Sequence, residues 1–162
     1  NNERSILFVA FTAEEMGLLG SNYFGKNIDP QKISAGINIE MIGKESPFGP
    51  KSAWLTGFNR SDFGKIIQKN LIGSDYKVYP DPYVNFNLFF RSDNASLARL
   101  GVPAHTFSTS PMDKDLNYHK VSDEVNTLDP YTISETIKAI AAGTKSIIDG
   151  KDTPSRVTVL KK

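Results

Sequence analysis

The sequence predicts an α/β fold, a three-layer α/β/α sandwich whose mixed, mostly parallel sheet carries helices on both faces. Three observations predict it. Short apolar runs of strand length, such as ILFVAF and GINIEMI, alternate along the chain with segments that begin and end like helices. The segment opened by Asp129-Pro130 has the spacing of a long helix with one apolar face. The 162 residues amount to one domain, 1–162, with no internal repeat, low-complexity run or interdomain linker.

Taken in order, residues 5–11 read as a fully buried strand, being short, continuously apolar and ended by polar residues. Residues 16–27 follow as a short helix, weakened by Gly17, Gly20 and Gly25. Residues 33–42, ISAGINIEMI, form a second strand with Glu40 near its C-terminal end. GKESPFGPKS is a loop by its Gly, Pro and Ser content, and residues 53–58 make a third strand. Ser61 is placed as the N-cap of a helix over 62–72, closed by Gly73. Residues 76–90, rich in aromatics and interrupted by Pro80 and Pro82, read as a short strand and an extended loop. Ser92 or Asp93 caps a helix through Leu100, with Gly101 as its C-cap, and residues 103–108 form another strand. In the last helix Ile133, Ile137, Ile140, Ala141, Thr144 and Ile148 fall on one face, and Gly150 stops it. RVTVL, residues 156–160, is either a final strand or a tail.

Composition excludes several classes of function. Lys+Arg 19 against Asp+Glu 18 leaves a net charge of +1, with no basic footprint for nucleic acid and no polybasic membrane anchor. The chain has no cysteine, which rules out disulfides and thiolate metal sites. Its apolar runs are far shorter than a membrane span. The opening NNERS shows no signal peptide and enters a strand almost at once, the pattern expected of the interior of a longer chain.

The chemistry concentrates at strand ends, where open α/β sheets place their sites. Glu14-Glu15 follow the first apolar run, and two adjacent acids at the end of a buried strand repel each other and are costly to desolvate. They are either the N-terminal turn of a helix, favoured by its dipole, or part of a cation site. Glu40 in an apolar strand needs a partner, because buried acids are seldom left alone. The segment after residues 103–108 carries His119, with Asp123 within reach as an acid that orients it, while His105 inside the strand reads as structural. Carboxylate oxygen and imidazole nitrogen are suitable zinc ligands. Phosphate-binding glycine loops, the serine-hydrolase elbow and the helical two-histidine zinc motif are all absent.

Four blocks, RSILFVAFTAEEMGLLGSNYF, AGINIEMIG, FRSDNASLARLGVPAHTF and NYHKVSDEVNTLD, resemble in order and spacing the co-catalytic zinc aminopeptidases. That family also includes glutamate carboxypeptidase II, the transferrin receptor ectodomain and the glutaminyl cyclases. The resemblance runs from Arg4 to Ile148 and implies the C-terminal part of a zinc-exopeptidase catalytic domain, truncated at its N-terminal side. By this resemblance Glu14 is the general base, Glu15 and His119 are ligands of one zinc, and Glu40 is the acidic ligand of the second. Ser92, Asp93 and Tyr118 support the site. The implied activity is hydrolysis of peptide substrates by a metal-activated water.

The family's His-x-Asp segment and bridging aspartate are not in this sequence. The expectation is therefore weak or absent zinc and little hydrolysis from these 162 residues alone, with two zinc ions per site in an intact protein. Two other functions fit the same resemblance: a non-catalytic binding module, and a glutaminyl cyclase with a single zinc. The resemblance also implies a secreted or periplasmic setting. The missing early strands predict an exposed sheet edge open to self-association.

Overall fold

A computed structural model describes residues 2–158. Among them, one sheet contains β1 (Gly36–Ile39), β2 (Ser52–Leu55), β3 (Lys77–Pro80) and β4 (Ala104–Ser108), in the order β1-β4-β2-β3. β1 runs parallel to β4 and β2 parallel to β3, and the two pairs join through the antiparallel contact of β2 with β4, where Leu55 faces Phe107. The helices are α1 (Leu19–Asn27), α2 (Phe63–Asn70), α3 (Asn94–Ala98) and α4 (Pro130–Ile148). None of the described helices is long and apolar enough to cross a membrane.

Alternation along β4 divides the core in two, since successive side chains of a strand point to opposite faces. Phe107 joins Ala53, Leu55, Phe63, Ile67 and Ile140 beneath α2 and α4. Ala104, an odd number of positions away, joins Leu97, Ala98 and Val102 beneath α3. The mixed sheet with helices on both sides is thus the architecture expected. α4 comes close to α2 because Gly143 lies there: a Cβ at that position would sit 2.7 Å from Cγ2 of Ile67.

Several elements differ from the sequence reading. Residues 5–11 form no strand; Leu7 is 67% and Phe8 90% exposed. A continuously apolar strand is buried only with strands on both sides, and the sheet stops at β1, whose outer edge has no partner among the described residues. The first helix starts at Leu19 because Gly17 and Leu18 have left-handed backbones, φ 99° and 59°, which an α-helix does not continue through. β1 ends before residue 42 because Met41 is left-handed at φ 51°. Neither the Ser92 nor the Asp93 side chain caps α3, which is only five residues long. On α4 the buried face is Thr136, Ala139, Ile140, Gly143, Thr144 and Ile147, while Ile137 is exposed. The small residues that allow contact with α2 set that face. Residues 156–158 form no strand, although Val157 is buried and its N–H donates to Gly101 O; residues 159–160 lie outside the described residues.

Candidate metal and catalytic centre

Residues 12–20 fold into a tight turn. Gly17 and Leu18 N–H donate to Glu14 O, Leu19 N–H to Ala13 O, and Gly20 N–H to Thr12 O. A Cβ on Gly20 would fall 2.7 Å from both N and O of Thr12, so the closure requires glycine. No acid lies in the first turn of α1. Glu14 and Glu15 are therefore left free of the helix dipole, which removes the first of the two readings of that pair.

Two further segments arrive at the same place. Glu40 lies just past β1, its N–H bonded to Phe107 O, and on the sheet face of Asn38, two residues earlier. Asn38 Nδ2 donates to Ser92 Oγ at 2.7 Å, to Thr106 Oγ1 at 3.0 Å and to Glu40 Oε2 at 3.5 Å. After Glu40 the chain turns at Met41, whose carbonyl accepts from Thr109 N, Ser110 N and Ser108 Oγ. The loop so anchored brings round His119, whose Nε2 lies 3.0 Å from Glu15 Oε1. Its ring is stacked on Tyr118, with centroids 4.0 Å apart.

Ala13, Met41 and His119 are three of only six non-glycine residues among those described with positive φ. Such backbones are uncommon outside glycine and gather at functional sites. Here they flank or carry the clustered side chains.

Negative charge at the cluster is poorly balanced. Burial raises the Glu14 carboxyl above its ordinary range, helped by Glu40, Glu15 and Asp93 and opposed by His119. Burial also raises Glu40, offset by a hydrogen bond from Ser92, with Asp93 and Glu15 adding to the rise. Tyr118 is raised chiefly by burial. Asp93 Oδ1 is buried without a hydrogen-bond partner. Carboxylates so arranged suit a cation, and the oxygen and nitrogen donors of Glu15 and His119 suit zinc in kind. Their number falls short: no three His, Cys, Asp or Glu among the described residues form a metal-holding group, and a catalytic zinc ordinarily takes three protein ligands.

The structure thus brings Glu14, Glu15, Glu40 and His119 into one region, with Ser92, Asp93 and Tyr118 against them. Asp123 is a correction. Its N–H bonds to Lys120 O and its Oδ1 accepts from Thr127 Oγ1, and it makes no hydrogen bond to His119. The left-handed backbone at His119 turns the ring toward Glu15, while the chain beyond it coils into its own turn. His105 is structural as expected: fully buried on β4, it bonds Thr56 O through Nδ1 at 2.9 Å and Ser61 Oγ through Nε2 at 2.8 Å. Asn38 was missed, although strand alternation from Glu40 would have found it. A cavity of about 40 Å³ also opens beside Glu40, lined among others by Trp54, Arg91, Met112 and Tyr118, with Leu88 bringing the aromatic-rich segment 76–90 to its wall.

Residues 1–144 match the profile of Peptidase family M28. Aminopeptidase Y of Saccharomyces cerevisiae is 26% identical across 89% of this chain and 28% of that protein. Among solved structures, an aminopeptidase from Aneurinibacillus sp. strain AM-1 is similar, with TM-score 0.61 and 16% identity over 94% of this chain and 34% of that one. The Legionella pneumophila LapA aminopeptidase is similar at TM-score 0.65 and 19% identity, over 86% of this chain and 38% of that one. At these identities the structural likeness speaks for the fold. The chain spans about a third of the length of these relatives.

Proposed function

The chain belongs to peptidase family M28, and on that footing we propose that it carries the general base and part of the metal centre of a zinc-dependent exopeptidase of the aminopeptidase type. The observation that supports this reading best is the contact of Glu15 with His119, residues 104 positions apart, beside Glu14. Glu15 and His119 would hold one zinc, and Glu40 would contribute to a second. Zinc bound there would acidify water toward neutrality and polarise the scissile carbonyl of a peptide.

The chain's own residues do the remainder. Glu14 accepts the proton of the attacking water and returns it to the departing amine. Its raised carboxyl suits a group that must carry a proton and then release it. Asn38 and Ser92 fix Glu40 in orientation, and the Tyr118 ring holds the plane of His119. Survival of Glu14, Glu15 and His119 in one cluster disfavours a purely binding module. Two donors for one ion and one for the other give weak metal affinity and little turnover by this chain alone.

The test follows the two histidine rings by NMR during zinc titration. His119 signals should move, His105 signals should not, and Glu15→Ala should weaken the response at least tenfold. A response at His105, or none at His119, would refute the metal reading. Zinc retained stoichiometrically through dialysis would refute the weak affinity. A location outside the cytoplasm is part of this proposal on the family resemblance alone, and the exposed side chains of residues 6–9, with a β1 edge unpaired among the described residues, support self-association.

A further inference from the structure

The loop of residues 111–124 brings His119 to Glu15, yet most of its own hydrogen bonds stay inside it. Lys114 and Asp115 N–H donate to Pro111 O, Asn117 N–H to Asp115 Oδ1, Ser122 Oγ to Asn117 Oδ1 and Lys120 N–H to Asn117 O. Among the described residues, only two hydrogen bonds of this loop reach beyond residues 110–127. One joins His119 to Glu15, side chains 53% and 72% exposed, and exposed pairs of this kind hold weakly. The other comes from Tyr83, whose hydroxyl donates to Asp113 Oδ1 at 2.8 Å. Tyr83 is itself fixed to the sheet. Asp81 N–H donates to Leu55 O at the end of the β2–β3 ladder, and Asp81 Oδ1 accepts from Tyr83 N–H at 2.7 Å. The half-buried Tyr83 ring meets Trp54 edge-on at 5.7 Å and stacks on Phe86 at 5.9 Å. Burial, and after it the Asp113 carboxylate, pushes the phenol up to about 12, so the hydroxyl stays a donor throughout the neutral range. Both segments line the cavity beside Glu40, Leu88 from one and Met112 and Tyr118 from the other, so the bond ties two of its walls together.

We propose that Tyr83 is a positioning residue, strapping the loop to the sheet through Asp113 and so holding His119 within reach of Glu15. The proposal rests on the reading of Glu15 and His119 as a metal pair. Without the strap the loop hangs on the exposed His119–Glu15 contact alone and opens often. Closure of the loop is common to the strap and to a metal held by Glu15 and His119, so each favours the other.

The exposed Lys114 and Lys120 make the loop cleavable by trypsin, at a rate that tracks its open population. In the 162-residue protein, Tyr83→Phe keeps both ring contacts and deletes the hydroxyl. It should speed cleavage at Lys114 and Lys120 roughly three- to tenfold, while cleavage at Lys26 on α1 and Lys145 on α4 stays unchanged. Asp113→Ala should do the same, and Asp113→Asn, which keeps an acceptor oxygen, should recover most of the resistance. Adding Tyr83→Phe to Asp113→Ala should change nothing further. Saturating zinc should slow loop cleavage in Tyr83→Phe at least threefold, with a small trypsin substrate as the control for the protease. Unchanged loop cleavage in Tyr83→Phe, equal acceleration at Lys26 and Lys145, or additive effects of the two substitutions overturns the strap. A His119 zinc response that leaves loop cleavage in Tyr83→Phe untouched overturns the positioning of His119. Loop cleavage that behaves as expected across the variants, with no zinc response at His119, defeats the metal reading alone.

Discussion

Acidification from pH 7 to pH 4 should strip stability from this fold through one imidazole, in an amount that follows from its surroundings. His105 is fully buried, stacked on Phe63 at 5.1 Å and close to Phe89 at 5.6 Å. In the neutral ring Nδ1–H donates to the Thr56 carbonyl, and Nε2 accepts from the Ser61 hydroxyl, whose oxygen takes the Phe63 N–H. A second ring proton would meet that hydroxyl oxygen and charge a group with no water. Burial accordingly lowers the pKa to about 4 from 6.5. The unfolded chain takes up the proton as pH falls below 6.5 and the folded chain only near 4. The contribution is therefore complete above 6.5 and lost as pH falls through that window, reaching about 3 kcal/mol. The assay is urea unfolding at half-unit pH steps, for the wild type and for His105→Asn, whose amide nitrogen replaces Nδ1. Every other group, including the raised Glu14 and Glu40, cancels in the difference between them. That difference should shrink by about 3 kcal/mol between pH 7 and 4. A constant difference, or an NMR titration of His105 near 6.5, would refute the reasoning.

Gly20→Ala should destabilise the protein by about 1–3 kcal/mol in urea, since its Cβ meets the Thr12 backbone at 2.7 Å, and should also weaken the zinc response of His119. A response of undiminished strength would show that the turn does not place Glu15. Asp129→Ala removes the cap bonds to Tyr131 N and Thr132 N and should cost about 1 kcal/mol, read from the melting temperature. Phe8→Lys should lower the mass seen by light scattering at high concentration if the exposed 6–9 segment drives association; a monomeric wild type would end that idea.

What the sequence revealed depended on whether the cause was local. Gly150, at φ 73°, a backbone that favours glycine, follows the Asp149 cap and ends α4 as anticipated, whereas Gly73 and Gly101, both at φ 83°, stand three residues past the ends of α2 and α3. The Asp129 cap is equally local. Residues 5–11 misled because an apolar run shows that a segment wants cover, not that the chain provides it. On α4, counting large side chains pointed to Ile137, whereas the contact with α2 is set by Gly143, which carries little hydrophobic signal. At the site, Glu14, Glu15, Glu40 and His119 were visible as ligand-type residues at strand ends. Asp123 failed because nearness along the chain does not fix direction once His119 turns left-handed. Trp54 and Arg91 come from separate strand and loop segments, and only the folded sheet sets them round one cavity.

The Met41 carbonyl, held by Thr109, Ser110 and Ser108, fastens the end of the strand bearing Glu40 to the start of the loop bearing His119. The two halves of the centre therefore share a single mechanical hinge pin and cannot drift independently. A change that releases this one backbone oxygen would misalign both at once, even though the residue contributes no side-chain chemistry of its own.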